Sequence, residues 1–228
     1  MLAKPLTNSQ IQAACKFWKD GHWEVEAFAQ LRQCFPKPQE AVTLKAVAVN
    51  TLYSAGVRPI ARVAQYLEKR LGSGSPYPTG PELVSDFVKE IADLKLTKRD
   101  NHYHVFVSKF AHFFINPDLP ILDQYSEWMV EQHLGLKHSY DSDRYLKFAK
   151  NIQRLKEEGT LTCDCDELDH YLWIAGEYWS WKHNPKKPIY TELRDDFERL
   201  EKTPETERTE SQRTLAELLG ITVRSAPL

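Results

Sequence analysis

Helix punctuation constrains this chain more than any other feature. Two adjacent stretches set the pattern, "EAVTLKAVAVNTLYSAG" (residues 40–56) and "RPIARVAQYLEKRLG" (residues 58–72). The second places Pro59 near its first helical position and Gly72 past its end. Proline is tolerated where the backbone N–H has no helical partner, and glycine closes a helix because it accepts unusual backbone angles. The first stretch is apolar on most sides. Its length favours helix over strand despite the valines, and it reads as the central buried helix.

The same punctuation runs through the rest of the chain. "SQIQAACKFWKD" opens at an Asn8 or Ser9 cap and stops at Gly21; "WEVEAFAQLRQC" is ended by "FPKP"; "PELVSDFVKEIADLK" starts on Pro81. "DSDRYLKFAKNIQRLKEEG" carries acidic residues first and basic ones later, which suits the helix dipole. "DELDHYLWIAGEYWSWKH" is an aromatic helix. "TELRDDFERLEK" and "ESQRTLAELLG" are more polar, so residues 189–228 read as peripheral helices. No internal repeat and no strand pair is visible. The fold class is therefore all-α, a single unit over residues 1–228, in which "GSGSPYPTGP" (residues 72–81) reads either as a division between two helical lobes or as a surface loop.

Composition narrows the function classes. A chain of 228 residues can bury a sizeable core without staples. The net charge of −2 does not mark a strongly basic nucleic-acid binder, although a local basic patch suffices for phosphate contact. "MLAKPLTNSQ" has no apolar core of the signal-peptide kind, and no apolar run approaches the roughly 20 residues that span a bilayer, so no membrane partner is expected. The four cysteines, Cys15, Cys34, Cys163 and Cys165, form no disulfide framework, which makes a reducing cytoplasm the expected location.

The chemistry-bearing stretch is "VSKFAHFFINPDLPILDQYSEWMVEQHLG", residues 107–135. At about 100° per residue, Phe106, Phe110 and Phe113 share one helical face, flanked by Tyr103 and Phe114. Lys109 falls at the margin of that stripe, near Val105 and His112. A marginal lysine is half desolvated, and desolvation favours the neutral, nucleophilic amine. The plainer reading is a lysine that lays its methylenes on the core and keeps its charge in water. Pro117 and Pro120 break the helix, and Asp123 then stands at the door of "QYSEWMVEQHLG", closed by Gly135. Asp123 reads as a helix cap, and a capping carboxylate is held rigidly enough to stabilise a cation.

The order of Lys109, a proline-containing loop, "PILD" and a helix ending "HLG" resembles the helix-hairpin-helix DNA glycosylases, most closely the 8-oxoguanine glycosylase-like branch. The helices over "LKAVAVNTLYSAGVRPIARVAQYLEKRL" are similar to that family's leading helix pair. "LDHYLWIAGEYWSWK" stands where the family places a late helix beside the base pocket. The likeness spans residues 40–182. The family's Gly-x-Gly hairpin before the lysine is replaced here by "NHYHVFVSK", and the Lys109–Asp123 separation is shorter than the family's.

The resemblance implies two helical lobes with a cleft, double-stranded DNA as partner, and removal of a damaged, oxidised base with apurinic-site lyase chemistry. Lys109 would attack C1′ to form a Schiff base, and Asp123 would stabilise the positively charged sugar. No metal and no cofactor is implied. A flipped base needs an aromatic wall, for which Trp173 and Tyr178 are the candidates, because Trp179 falls on the buried stripe of Leu168, Leu172 and Ala175. His112 and Gln124 are candidate substrate contacts. Phosphate contacts would come from Lys95, Lys98 and Arg99, and from Lys182, Lys186 and Lys187.

Two other motifs rank lower. "TCDCDELDH" gathers Cys163, Asp164, Cys165, Asp166 and His170, but its C-x-C spacing is not that of zinc sites, and Asp166 reads as a helix cap. "TLAELLGIT" resembles the middle of a helix-turn-helix, with too little chain behind it for a recognition helix. The alternative function is a non-catalytic helical module of the same fold that binds nucleic acid or protein, which the missing glycines and the acidic balance favour. A helical partner in a defence or toxin system has no motif of its own.

Overall fold

The computed structural model describes residues 5–19, 23–53, 55–74, 76–95, 101–137, 143–186 and 188–221. Among them the chain forms α-helices and one 3-10 turn (Glu205–Glu207), with no strand. The helices are α1 (Asn8–Lys19), α2 (Trp23–Cys34), α3 (Val42–Leu52), α4 (Ile60–Gly72), α5 (Glu82–Asp93), α6 (Asn101–Phe114), α7 (Gln124–Leu134), α8 (Arg144–Glu158), α9 (Cys165–His183), α10 (Thr191–Lys202) and α11 (Glu210–Leu218). The all-α class holds. None of the described helices is long and apolar enough to cross a membrane.

The chain forms two compact units, one of residues 1–21, 124–138 and 151–228, the other of residues 22–123 and 139–150. The division expected at residues 72–81 does not coincide with these boundaries, because that loop lies inside the second unit. Asn116 Nδ2 donates to the Thr79 carbonyl at 2.8 Å, and the Tyr77 ring stands edge-on to Phe87 at 6.2 Å. Its prolines and glycines therefore shape a fastened loop.

In the second unit α3 packs on α4 and α5 on α6, while α6 also meets α2 and α3. α3 is not the central helix that its composition suggested. Val42, Lys45, Ala46 and Val49 are buried, while Leu44 and Val47 on the other side are 49% and 41% exposed. A helix without a polar face leaves its orientation undeclared, and the i, i+3, i+4, i+7 spacing chose the core side. The central position belongs to α6, buried from Phe106 to Phe114 without a break.

In the first unit α9 is the hub, with α1, α7 and α10 packed on it and α11 on α1 and α10. The C-terminal helices do more than line the periphery: Leu193, Phe197, Leu200, Leu215 and Leu218 are buried. Two helix caps differ from expectation, by one and by two residues. Thr7 caps α1 in place of Asn8 or Ser9, exchanging bonds with Gln10: Thr7 N–H donates to Gln10 Oε1 (3.3 Å), and Gln10 N–H to Thr7 Oγ1 (3.4 Å). Asn8 instead bridges the loop before α9, donating to the Thr160 carbonyl (3.3 Å) and accepting from Thr162 N–H (3.0 Å). Asp164 caps α9 in place of Asp166. Its carboxylate accepts from Glu167 N–H at 2.8 Å while Glu167 accepts from Asp164 N–H at 3.1 Å.

Candidate functional site

α6 carries the lysine. Its neighbours α2, α3 and α5 enclose it, so the margin of its aromatic stripe is no longer a rim. Lys109 is 6% exposed, buried rather than half desolvated as the wheel suggested. Its Nζ donates to the Tyr53 carbonyl at 3.3 Å and lies 4.9 Å from the centre of the Tyr53 ring. That ring belongs to a cluster with Phe28, Phe113 and Phe114. Phe28 stacks on Phe113 at 4.5 Å, and Tyr53 tilts against both.

The loop after α6 is fastened to it at several points. Ser108, fully buried, accepts from Leu122 N–H at 3.1 Å and donates to the Val105 carbonyl at 3.0 Å. His112 donates from Nδ1–H to the Leu119 carbonyl at 2.8 Å, since a carbonyl can only accept. Tyr145, at the start of α8, donates to the Pro120 carbonyl at 2.9 Å. Ser108 precedes Lys109 and Leu122 precedes Asp123, so the clasp sets the lysine-bearing turn beside the aspartate-bearing segment. Asp123 is 8% exposed. The clasp thus joins the residues that precede Lys109 and Asp123 in the second unit. His112 is spent on the loop and buried, which argues against the substrate contact expected of it.

Ser108 carried no motif and was missed. Replacing it with alanine strands the buried Leu122 N–H, at an expected cost of about 1–3 kcal/mol. Urea denaturation of Ser108→Ala checks this, and a variant as stable as the parent would dissolve the clasp. Lys45 was also missed. It is 1% exposed, donates from Nζ to the Lys37 carbonyl at 2.6 Å, and lies 5.2 Å from the Phe114 ring centre. Burial lowers its pKa, with Glu40 pulling the other way. Its place between Val42 and Val49 on the stripe was the available signal.

The remaining expected site residues divide sharply. Gln124 is exposed at the first residue of α7, in the first unit. Trp173 is half-buried there, edge-on to Trp18 at 5.3 Å and to Tyr190 at 6.0 Å. Tyr178, expected in a pocket wall, is core: it packs edge-on to Phe197 at 5.2 Å, and its hydroxyl donates to Glu201. Trp179, expected in the core, is only half-buried. α9 is covered on several sides, so its single apolar stripe does not say which ring goes deepest.

Lys182 is not a free cation, because it pairs with Glu201 at 2.7 Å. Burial opposes ionisation of Glu201, yet the bonds from Lys182 and Tyr178 hold its carboxyl below the ordinary range. Burial and the bond to Glu201 push the Tyr178 hydroxyl up. Lys95 and Lys186 are exposed, while Lys98, Arg99 and Lys187 lie outside the described residues. Among the described residues no group of three or more His, Cys, Asp or Glu is placed to hold a metal ion. No disulfide joins the four cysteines, and burial raises the pKa of Cys163.

No family model, curated protein or solved structure matches the chain.

Proposed function

We propose that the chain is a DNA base-excision glycosylase with apurinic-site lyase activity, acting on a damaged base through Lys109 and Asp123. The observation that supports this reading is the Ser108–Leu122 clasp, which joins the residues next to two ionisable groups fourteen positions apart. Buried ionisable groups are costly, and they concentrate where chemistry needs them. The amine of Lys109, once deprotonated, forms a bond to C1′ as the glycosidic bond breaks and its electron pair leaves with the base. The nitrogen loses a proton, the C1′–O4′ bond opens toward O4′, and an imine results. Loss of a 2′ proton then expels the 3′ phosphate, and water releases the lysine. Asp123 stabilises the cationic sugar along the way.

A second reading has its own observation. The Lys109 amine rests on Tyr53 with little exposure, which favours a non-catalytic helical module that binds nucleic acid or protein. A nicking assay separates the two, using duplexes with a panel of damaged bases and abasic sites, with borohydride to trap the imine. The wild type is expected to nick and to be trapped, and Lys109→Gln and Asp123→Asn to fall by about 100-fold or more. Equal rates in all three proteins would remove both residues from the chemistry. A wild type inactive on every duplex would leave the binding module.

A further inference from the structure

The geometry points to Tyr53 as the residue that positions the Lys109 amine, an inference that rests on the glycosylase–lyase reading above. A lysine amine rides on a flexible four-carbon stem and does not hold a direction unaided. Two parts of Tyr53 hold this one: the carbonyl accepts from Nζ at 3.3 Å, and the ring centre lies 4.9 Å from it. A carbonyl oxygen and the face of an aromatic ring both attract the N–H groups of an amine, charged or neutral, and together they set both its distance and its direction.

Tyr53 is itself well held. It follows α3 directly, and its N–H donates to the Val49 carbonyl at 3.2 Å. Its ring is wedged against Phe28 at 5.3 Å and Phe113 at 5.1 Å. The turn beyond it is closed by Asn50, whose Oδ1 accepts from Val57 N–H at 2.8 Å while its Nδ2 donates to the Val57 carbonyl at 3.2 Å. The end of α3 therefore acts as a fixed arm. It reaches a lysine 56 residues further along the chain. Lys45 shows the same pairing of carbonyl and ring at the start of α3, with Lys37 and Phe114, and serves as an internal control.

The test compares Tyr53→Phe, which keeps the ring and the backbone, with Tyr53→Leu, which loses the ring. Two readouts are taken on each folded protein. The first is the upfield ring-current shift of the Lys109 side-chain protons by NMR, assigned with Lys109→Gln and referenced to Lys45. The second is the rate of borohydride trapping on an abasic-site duplex.

Tyr53→Leu is expected to lose the shift and to trap about tenfold more slowly at unchanged KM, since misplacing a reacting group costs rate rather than binding. Tyr53→Phe is expected to retain both. Wild-type trapping by Tyr53→Leu, or an equal loss in Tyr53→Phe, would overturn the assignment. If Tyr53→Leu does not fold, Asn50→Ala frees the turn without touching either partner, and unchanged trapping there would overturn it equally. A wild type that is never trapped removes the glycosylase–lyase reading and with it the catalytic purpose of the contact. The NMR shift still decides separately whether Tyr53 holds the amine.

Discussion

Gly176→Ala is expected to lower stability by about 3 kcal/mol, which for a chain of this size corresponds to a fall of about 9 °C in Tm. Gly176 sits inside α9, where alanine would ordinarily be the better helix former. Its backbone angles are not the left-handed ones that require glycine. The reason for glycine is the approach of α7. A Cβ at position 176 would lie 2.6 Å from Tyr125 Cβ and 3.0 Å from the Tyr125 carbonyl oxygen. Neither is the far end of a flexible side chain, so the crossing of the two helices must open. Gly72→Ala is the matched control. Nothing lies within 4 Å of a Cβ there, and at the exposed last residue of α4 a change within about 0.5 kcal/mol is expected. Calorimetry and urea midpoints of the two variants check this, and similar behaviour of both would remove the close crossing.

The second large effect depends on pH. His133 shares a hydrogen bond of 2.9 Å with the hydroxyl of Tyr171, a ring buried in the first unit, and its own Nδ1 has no hydrogen-bond partner among the described residues. Burial lowers its pKa from the usual 6.5 to about 4. Between these two values the unfolded chain carries the proton and the folded one does not. Stability from this group is therefore complete above pH 6.5 and drains away as the pH falls toward 4. The shift corresponds to a loss of about 3 kcal/mol across that window. His133→Gln keeps an amide for the Tyr171 hydroxyl and removes the titration. Urea midpoints at pH 7.0, 5.5 and 4.0 are expected to fall about 3 kcal/mol further for the wild type than for the variant. Parallel curves would show that His133 takes up its proton in the folded state at the ordinary pH.

Both effects depend on contacts that no motif marks, and the same holds for Ser108 and Tyr53 at the candidate site. Pro59, Gly135 and the aromatic stripe of α6 were legible, because capping, chain stiffness and helical periodicity act within a few residues. The wheel placed Lys109 correctly on α6 and wrongly in exposure, since exposure depends on which helices arrive from elsewhere. Trp179 and Tyr178 exchanged places for a similar reason: an apolar helix contacted on several sides buries more than its best stripe. Asp166 and Asp164 are both good caps in isolation, and the reciprocal bond with Glu167 selected the latter.

The all-α class and most helix limits follow from interactions short enough to be written along the chain, although α3 stops at Leu52, short of the Gly56 that its sequence offered. The meeting of Lys109 with Tyr53, of Ser108 with Leu122 and of Gly176 with Tyr125 follows from none of them. Each joins groups from separate elements, and only packing those elements chooses which side chains touch. Whether the lysine is a surface cation or a buried amine was decided there, because the energy of a charge depends on the surroundings that folding supplies.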